Sequence, residues 1–512
     1  MNNKKIITAN NKPTVITVSA TDPMGLSGIH ADLRALESMD VHGACCITAT
    51  TAQNQSGFSS LNPISNEAFI SQLDSLANSV ECNVIKIGLL ANSQQAKTLL
   101  KHPIFKGKKI VLDPVLSASS GDIEQYEDRL KGLRLLLPFV DVITPNLNEV
   151  VALLEGYIKD IGEKSIESIA EYFLKTGVKS VLIKGGHSEQ QSVDYYCEQA
   201  IQFYLKHDVY EHSYSRGTGC AMASLIAASL ALGANKGDAI TMAKMQMQTG
   251  WKSPFKITED AGSLVFKKWI SPEAYSKNTE QEFKDNACLP VELPIVFKTS
   301  AQQDLLFLSC EQPLGLYPIV DRADWLERLL PVGISTAQLR IKDLTGDALR
   351  KEIARAVNIA KQYKCQLFIN DYWQLAIDCD AYGVHLGQED IDDADLQAIS
   401  DAGLRLGLSS HCFHEVARAK SINPSYIAFG PVYETQSKDM PWVPKGPVGL
   451  RYWRQHLSGI PMVAIGGIHG DRFEEVEKTG IDGIAMITAI TLAPNPVATA
   501  IEYKDRFSLK CI

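Results

Sequence analysis

From Leu314 onward, apolar runs of strand length recur with a regular cadence: 314–320, 336–341, 366–369, 382–386, 404–408, 426–430, 461–465 and 483–487. Amphipathic helical patterns such as Ala348 to Lys361 and Phe473 to Lys478 separate them. Eight strand–helix units in about 200 residues is the number, and a fitting length, to close a compact parallel (βα)8 barrel. The first half alternates less evenly, with apolar runs at Val15 to Val18, Ala44 to Ala49, Val84 to Leu90, Lys109 to Val115, Val142 to Asn146 and Val181 to Lys184. These runs predict an α/β domain on a largely parallel sheet. Between the halves the alternation fades into a polar stretch with three prolines, read as a connector too mixed to be a Gly/Ser linker. The expected boundaries are therefore 14–270, a linker at 271–312, and 313–512.

Within the barrel cadence, polar chemistry collects at the strand ends. Gln338, Arg340 and Lys342 alternate along the second strand, Asn370 and Asp371 end the third, and Asp390 follows the fourth. Ser409 ends the fifth, Thr435 to Lys438 follow the sixth, Gly466 and Gly467 end the seventh, and Ile487 and Thr488 end the eighth. In a closed barrel these meet at one mouth. Asp371 and Asp390 then serve as hard oxygen ligands for Mg²⁺, although either taken alone reads as a helix cap sooner than as a ligand. Arg340, Lys342 and Lys438 with that metal can neutralise a diphosphate, while the seventh and eighth loops suit a monophosphate. His385 reads as a packed residue rather than a catalytic one.

Composition narrows the class. A net charge of −9 without any Lys/Arg block argues against a nucleic-acid or anionic-membrane surface. The start, MNNKKIITANNK, lacks a following apolar segment, and no run approaches membrane-span length. Eleven cysteines without C-x-x-C spacing fit a reduced, cytoplasmic protein without structural zinc. Oligomeric state is left open, a homo-oligomer included.

In the first half, Arg216-Gly217-Thr218-Gly219-Cys220 precedes a small-residue helix beginning at Ala221. Paired glycines at a helix start offer free N–H groups and a positive dipole end to a phosphate. Cys220 is expected there with a lowered thiol pKa, suited to a base or anion-stabilising role. The alternative is a buried cysteine in a tightly packed helix. The turn Ala20 to Gly28 is a weaker signal of the same kind.

The segments SATDPMGLSGIHADL, ITATTAQN, VLDPV, ITPNLNE, KGGH and RGTGCAMAS resemble, in order and spacing, the hydroxymethylpyrimidine and phosphomethylpyrimidine kinases of ribokinase-like, three-layer fold, over Thr14 to Lys268. The resemblance implies Gln53 at the pyrimidine edge and Asp32 beside the first turn as substrate residues. It implies Asn146 and Glu149 in the Mg²⁺ and phosphate motif, Lys184 and Gly186 bordering ATP, and Gly217, Gly219 and Cys220 as an anion hole with its catalytic thiol. Two departures stand out: Leu26, expected to narrow the pocket, and Arg216 where the family commonly has His, expected to steady a triphosphate.

From about Gly315 to Thr491, the segments GLYPIVD, QLRIKD, LFINDYWQLA, YGVHLGQED, GLSSH, PVYETQSKDMP, VAIGGI and IAMITAI resemble thiamine-phosphate synthases, which are TIM barrels. That resemblance implies that Gln338, Arg340, Lys342, Asn370, Ser409 and Lys438 hold the pyrimidine diphosphate. Thr435, Gln436, Ser437, Gly467, Ile487 and Thr488 would bind the thiazole phosphate, with Mg²⁺ on Asp371 and Asp390. Together the halves imply a bifunctional transferase of thiamine biosynthesis that uses ATP, hydroxymethylpyrimidine and thiazole phosphate. The competing expectation keeps the synthase active beside a degenerate or pyridoxal-type kinase, and a third is a non-catalytic sensor of thiazole or thiamine phosphates.

Overall fold

The structure is a computed structural model describing residues 12–54, 57–116, 123–158, 164–185, 192–208, 210, 214, 216–259, 261–272, 292–298, 305–434 and 444–508. The chain divides into two units, the first running to Trp269 and taking back a short segment near 291–300, the second holding the rest.

The first unit is built on strands β1 (Thr14–Ser19), β2 (His42–Ile47), β3 (Ala49–Asn54), β4 (Gly57–Pro63), β5 (Val84–Ile87), β6 (Lys109–Leu112), β7 (Val142–Ile143), β8 (Ser180–Ile183), β9 (Ser192–Glu198), β10 (Gln202–His207), β11 (Pro254–Thr258), β12 (Ala261–Leu264) and β13 (Ile295–Phe297). Nine of them form one sheet in the order β13-β10-β9-β8-β7-β6-β5-β1-β2. The pairs from β2 to β8 are parallel, while β8–β9, β9–β10 and β10–β13 are antiparallel. All six expected runs are strands. The run expected at Ala44 to Ala49 is cut at Ile47, and β3 turns away to pair with β4 as a separate hairpin.

Alternation along the central strands sorts side chains into two layers. Ile16, Val18, Ile85 and Ile87 join a large apolar cluster with Leu99, Leu133, Leu153 and Phe173 from the helices of one face. The intervening Thr17 and Lys86 point to the other face and meet Asp32 of helix Gly28–Ser38. Helices Thr218–Ala231 and Lys236–Trp251 complete that second layer.

β13 lies inside the stretch read as a connector, yet it pairs antiparallel with β10 and stacks Phe297 on Tyr204, ring centroids 5.4 Å apart. Three residues carry too little periodicity to register as a strand in the sequence.

The second unit contains β14 (Gly315–Val320), β15 (Thr336–Leu339), β16 (Gln366–Asn370), β17 (Gly383–Leu386), β18 (Arg405–Ser410), β19 (Tyr426–Phe429), β20 (Met462–Ile465) and β21 (Gly483–Met486). They close, in order, into a barrel whose every neighbouring pair is parallel. Each corresponds to one run of the cadence. The interior is packed, with Tyr317, Phe368 and Tyr426 at its centre and Phe368 set edge-on to Tyr426 at 5.0 Å.

Candidate functional sites

The first site lies where β6, β7 and β8 end and helix Thr218–Ala231 begins. Asp113 follows β6 and Lys184 follows β8; Lys184 Nζ donates to Asp113 Oδ1 at 3.3 Å and stands 4.0 Å from Glu149 Oε2. Asn146 and Glu149 form a reciprocal capping box at the start of helix Leu147–Leu154, with bonds of 2.9 and 2.8 Å. Burial, then the charge of Asp113, pushes the Glu149 carboxyl up to about 7 against the opposing pull of Lys184. Burial acts to strip the Lys184 proton, but Asp113 and Glu149 outweigh it and hold the ammonium charged.

Gly217 has φ +78°, and a Cβ there would meet the Leu26 carbonyl oxygen at 2.0 Å, so only glycine lets the loop close against the first turn. The first intrahelical donor is Ala221 N–H, which reaches Gly217 O at 2.9 Å, so the preceding Gly219 and Cys220 amides lie ahead of the helical ladder. A Cβ on Gly219 would come within 3.3 Å of Lys184 Nζ and 3.7 Å of Asp113 Oδ1. The expected amide cradle and the expected Lys184 thus share one pocket with Asp113 and Glu149. Gly186 lies outside the described residues.

Three expectations need correction here. Cys220 does not have a lowered pKa: burial, reinforced by Asp113 and Asp32, pushes its thiol up to about 12 in spite of Lys86 and the Gly28 amide. It stays a neutral thiol near pH 7. Asp32 is fully buried and takes bonds from Thr17 Oγ1 (2.6 Å), Lys86 Nζ (2.8 and 3.0 Å) and Ser224 Oγ (2.9 Å), which saturate it with protein partners and leave nothing for a substrate. Arg216 turns to Gln53 and Asn54 of β3, at 2.6 and 3.0 Å, rather than to the cradle. Leu26 is buried, its amide held by Asp22.

Asp113 was not singled out from the sequence, although it stands in VLDPV. Its Oδ2 is buried without a hydrogen-bond partner among the described residues. A buried carboxylate oxygen in that condition, beside Glu149 and a cation, has the chemistry of a hard-metal and phosphate locus.

The second site is the mouth of the barrel. Asn370 is the last residue of β16 and is buried; Asp371 follows with φ 65°, its N–H bonded to His385 O at 3.0 Å. Lys342 Nζ donates to Asp371 Oδ2 at 2.6 Å, and Asp390 Oδ2 takes the Gly387 N–H at 3.0 Å. The two aspartates face one another: burial, then the charge of Asp371, raises the Asp390 carboxyl above its ordinary range. Opposed carboxylates next to a lysine suit a divalent cation shared with a phosphate oxygen.

Beneath them runs a polar chain. Gln338, buried in β15, reaches Tyr317 and Tyr426, whose hydroxyls are 2.8 Å apart. Tyr426 bonds His385 Nδ1 at 2.8 Å, and His385 Nε2 bonds Ser409 Oγ at 2.8 Å. Burial lowers the His385 pKa to about 4, so the ring is neutral and orients Ser409 rather than carrying charge. Gln388, overlooked in the sequence, bonds Ser409 O at 2.7 Å through Nε2 and buries Oε1 without a partner among the described residues. Arg340, half-buried just beyond β15, is a neighbouring cation.

On the opposite side of the mouth, Gly466 and Gly467 carry φ +102° and +64°, and a Cβ on Gly467 would meet Glu434 O at 2.4 Å. Ile487 and Thr488 begin the short helix after β21. Thr435, Gln436, Ser437 and Lys438 lie outside the described residues.

An amide cradle facing a lysine and two acids on one sheet, and a charged mouth on a closed barrel, define a pair of transferases acting on small phosphorylated substrates. Residues 316–490 match the thiamine monophosphate synthase family and residues 22–265 the phosphomethylpyrimidine kinase family. The chain is 53% identical over 190 residues to thiamine-phosphate synthase from Pectobacterium atrosepticum and 52% over 189 residues to that from Serratia proteamaculans, in each case 37% of this chain and 89% of the relative. Among solved structures, phosphomethylpyrimidine kinase from Clostridium difficile is similar at 26% identity and TM-score 0.39, over 46% of this chain and 98% of that one. Pyridoxal kinase from Staphylococcus aureus is similar at 25% identity and TM-score 0.44, over 50% and 95%. The chain belongs to the thiamine-phosphate synthase family, joined to a kinase unit of the phosphomethylpyrimidine kinase family. It is a fused enzyme of thiamine biosynthesis, with an α/β unit on a largely parallel sheet followed by a TIM barrel. Among the described residues no helix is long and apolar enough to cross a membrane.

Proposed function

We propose that residues 14–270, with the returning strand β13, phosphorylate hydroxymethylpyrimidine and then its monophosphate from ATP, and that residues 313–512 join the resulting diphosphate to thiazole phosphate. The observation that carries this reading is the facing of Asp371 and Asp390 beside Lys342 at the barrel mouth.

In the kinase unit, Gln53 reads the pyrimidine edge and the Gly217–Cys220 amides gather the transferring phosphoryl group. Lys184 offsets its charge, with Asn146 and Gly186 bordering the nucleotide. Asp113 and Glu149 fit Mg²⁺, the Asp113 oxygen that lacks a hydrogen-bond partner among the described residues being the natural first donor. Cys220, neutral at physiological pH, donates a weak hydrogen bond to the anion hole rather than acting as a base.

In the synthase unit, Gln338, Asn370 and Ser409 hold the pyrimidine, and Arg340, Lys342 and Lys438 take up the charge of the departing diphosphate. Departure leaves a cation-like carbon that the thiazole nitrogen attacks. Gly467, Ile487 and Thr488, with Thr435, Gln436 and Ser437, hold the thiazole phosphate. Asp371 and Asp390 fit Mg²⁺, which when bound supplies electrostatic stabilisation of the diphosphate.

A coupled assay tests the whole reading: ATP, hydroxymethylpyrimidine, thiazole phosphate and Mg²⁺ in, thiamine phosphate measured, each substrate omitted in turn. Product from the pyrimidine diphosphate but none from the free alcohol would sink the kinase half alone.

A further inference from the structure

Arg216 reaches from the phosphate-cradling loop to the hairpin that carries Gln53. Its guanidinium donates to Gln53 Oε1 at 2.6 Å and to Asn54 O at 3.0 Å, and stands 3.8 Å from both Met24 Sδ and Asp22 Oδ2. Asp22 is buried and organises the first turn by accepting from the amides of Met24, Leu26 and Ser27. One half-buried side chain therefore joins the turn, the hairpin and the cradle.

The polarity of these bonds settles the orientation of the Gln53 amide. A guanidinium only donates, so the atom facing Arg216 must be the oxygen. At the other end, Thr51 Oγ1 spends its single proton on Thr21 O at 2.8 Å and can only accept, so the atom 3.0 Å from it must be Nε2. Both ends of the amide are assigned by partners of fixed sense, and a flip would oppose donor to donor at Arg216. What remains for a ligand is one N–H and one lone pair in fixed order.

We propose that Arg216 is a specificity-determining positioning residue: by locking the Gln53 amide, it makes the kinase select an aminopyrimidine, whose exocyclic NH2 meets the oxygen and whose ring nitrogen meets the N–H. A 4-oxo pyrimidine presents the reverse order, with a carbonyl against Oε1, and is rejected while the lock holds. This rests on Gln53 reading the pyrimidine, as set out above.

The test uses the full chain, with 4-amino-5-hydroxymethyl-2-methylpyrimidine and its 4-oxo analogue as probes. Arg216→Met should raise the KM for the amino substrate about tenfold, the scale of one charge-assisted hydrogen bond, with kcat changed less than about twofold. Its preference over the 4-oxo analogue should fall by a similar factor, and Arg216→Lys, which also only donates, should recover part of it. In a Gln53→Ala background, Arg216→Met should add less than about twofold, because the two residues act as a unit. Additive effects, or a rise in the KM for ATP in place of that for the alcohol, would overturn the proposal. An unchanged ATP KM marks an intact fold, and if Arg216→Met does not fold, Arg216→Lys and Gln53→Ala give the same ratio test. A wild-type chain that phosphorylates neither pyrimidine would bring down the kinase reading, and this inference with it.

Discussion

Asp390 is raised above the ordinary carboxylate range by its burial and by Asp371, which the chain brings opposite it from the end of the preceding strand. Lys342 offsets part of this repulsion from the Asp371 side, and a divalent cation held between the two acids would offset more. Asp371 has φ 65°, a backbone region that asparagine also tolerates, so Asp371→Asn removes the charge without forcing the loop. We expect it to lower synthase turnover at least about a hundredfold and to weaken Mg²⁺ activation, while kinase turnover in the same chain is unchanged. Diphosphate release titrated against Mg²⁺ measures both; a wild-type Mg²⁺ response would remove Asp371 from the metal site.

The kinase should lose kcat/KM for ATP as pH falls through about 7, the pH at which Glu149 takes up its proton. The sign follows from the raised pKa: the carboxylate form exists only above it, and that form is the one able to hold a metal. Glu149→Gln keeps an oxygen for the Asn146 N–H, so the capping box survives while the acid limb of the pH–rate profile should flatten at a lower plateau. An unaltered acid limb in this variant would assign the titration elsewhere.

Lys86→Met would leave Asp32 charged and buried with only two hydroxyl partners. Breaking a buried pair from one side costs about 3–5 kcal/mol, so a denaturant melt of the kinase unit should shift by that scale. Synthase activity should persist. Asp32→Asn with Lys86→Met should restore part of the loss, because the orphaned charge is gone.

Cys220→Ser should retain kinase activity to within about tenfold, since a thiol held near 12 works as a neutral group that a hydroxyl can replace. Alkylation of Cys220, followed by peptide mapping, should be slow at pH 7 and accelerate only in alkali. Rapid alkylation at neutral pH would show a thiolate and reverse the assignment.

Periodicity alone made all eight barrel strands readable, because each apolar run is short, regularly spaced and bounded by polar turn residues. It also set Asp371 and Asp390 at consecutive strand ends. The role of Asp32 was not readable, since it lies on a helix and Lys86, which neutralises it, is 54 positions further along on strand β5. Nor was the thiol shift of Cys220: a helix start argues for a lowered pKa, and only the packed neighbours Asp113 and Asp32 reveal that burial wins. Asp113 sat in a recognised segment, but its significance is an oxygen buried without a partner among the described residues, which no linear pattern carries.

The three residues of β13 have a practical consequence for anyone dissecting the enzyme. Severing the chain just after position 270 would strip Ile295–Phe297 from β10 and bare a row of backbone donors and acceptors along the rim of the sheet. A kinase fragment ended there should self-associate, whereas one carried through residue 298 ends its sheet in a strand of three residues, too short to template another chain.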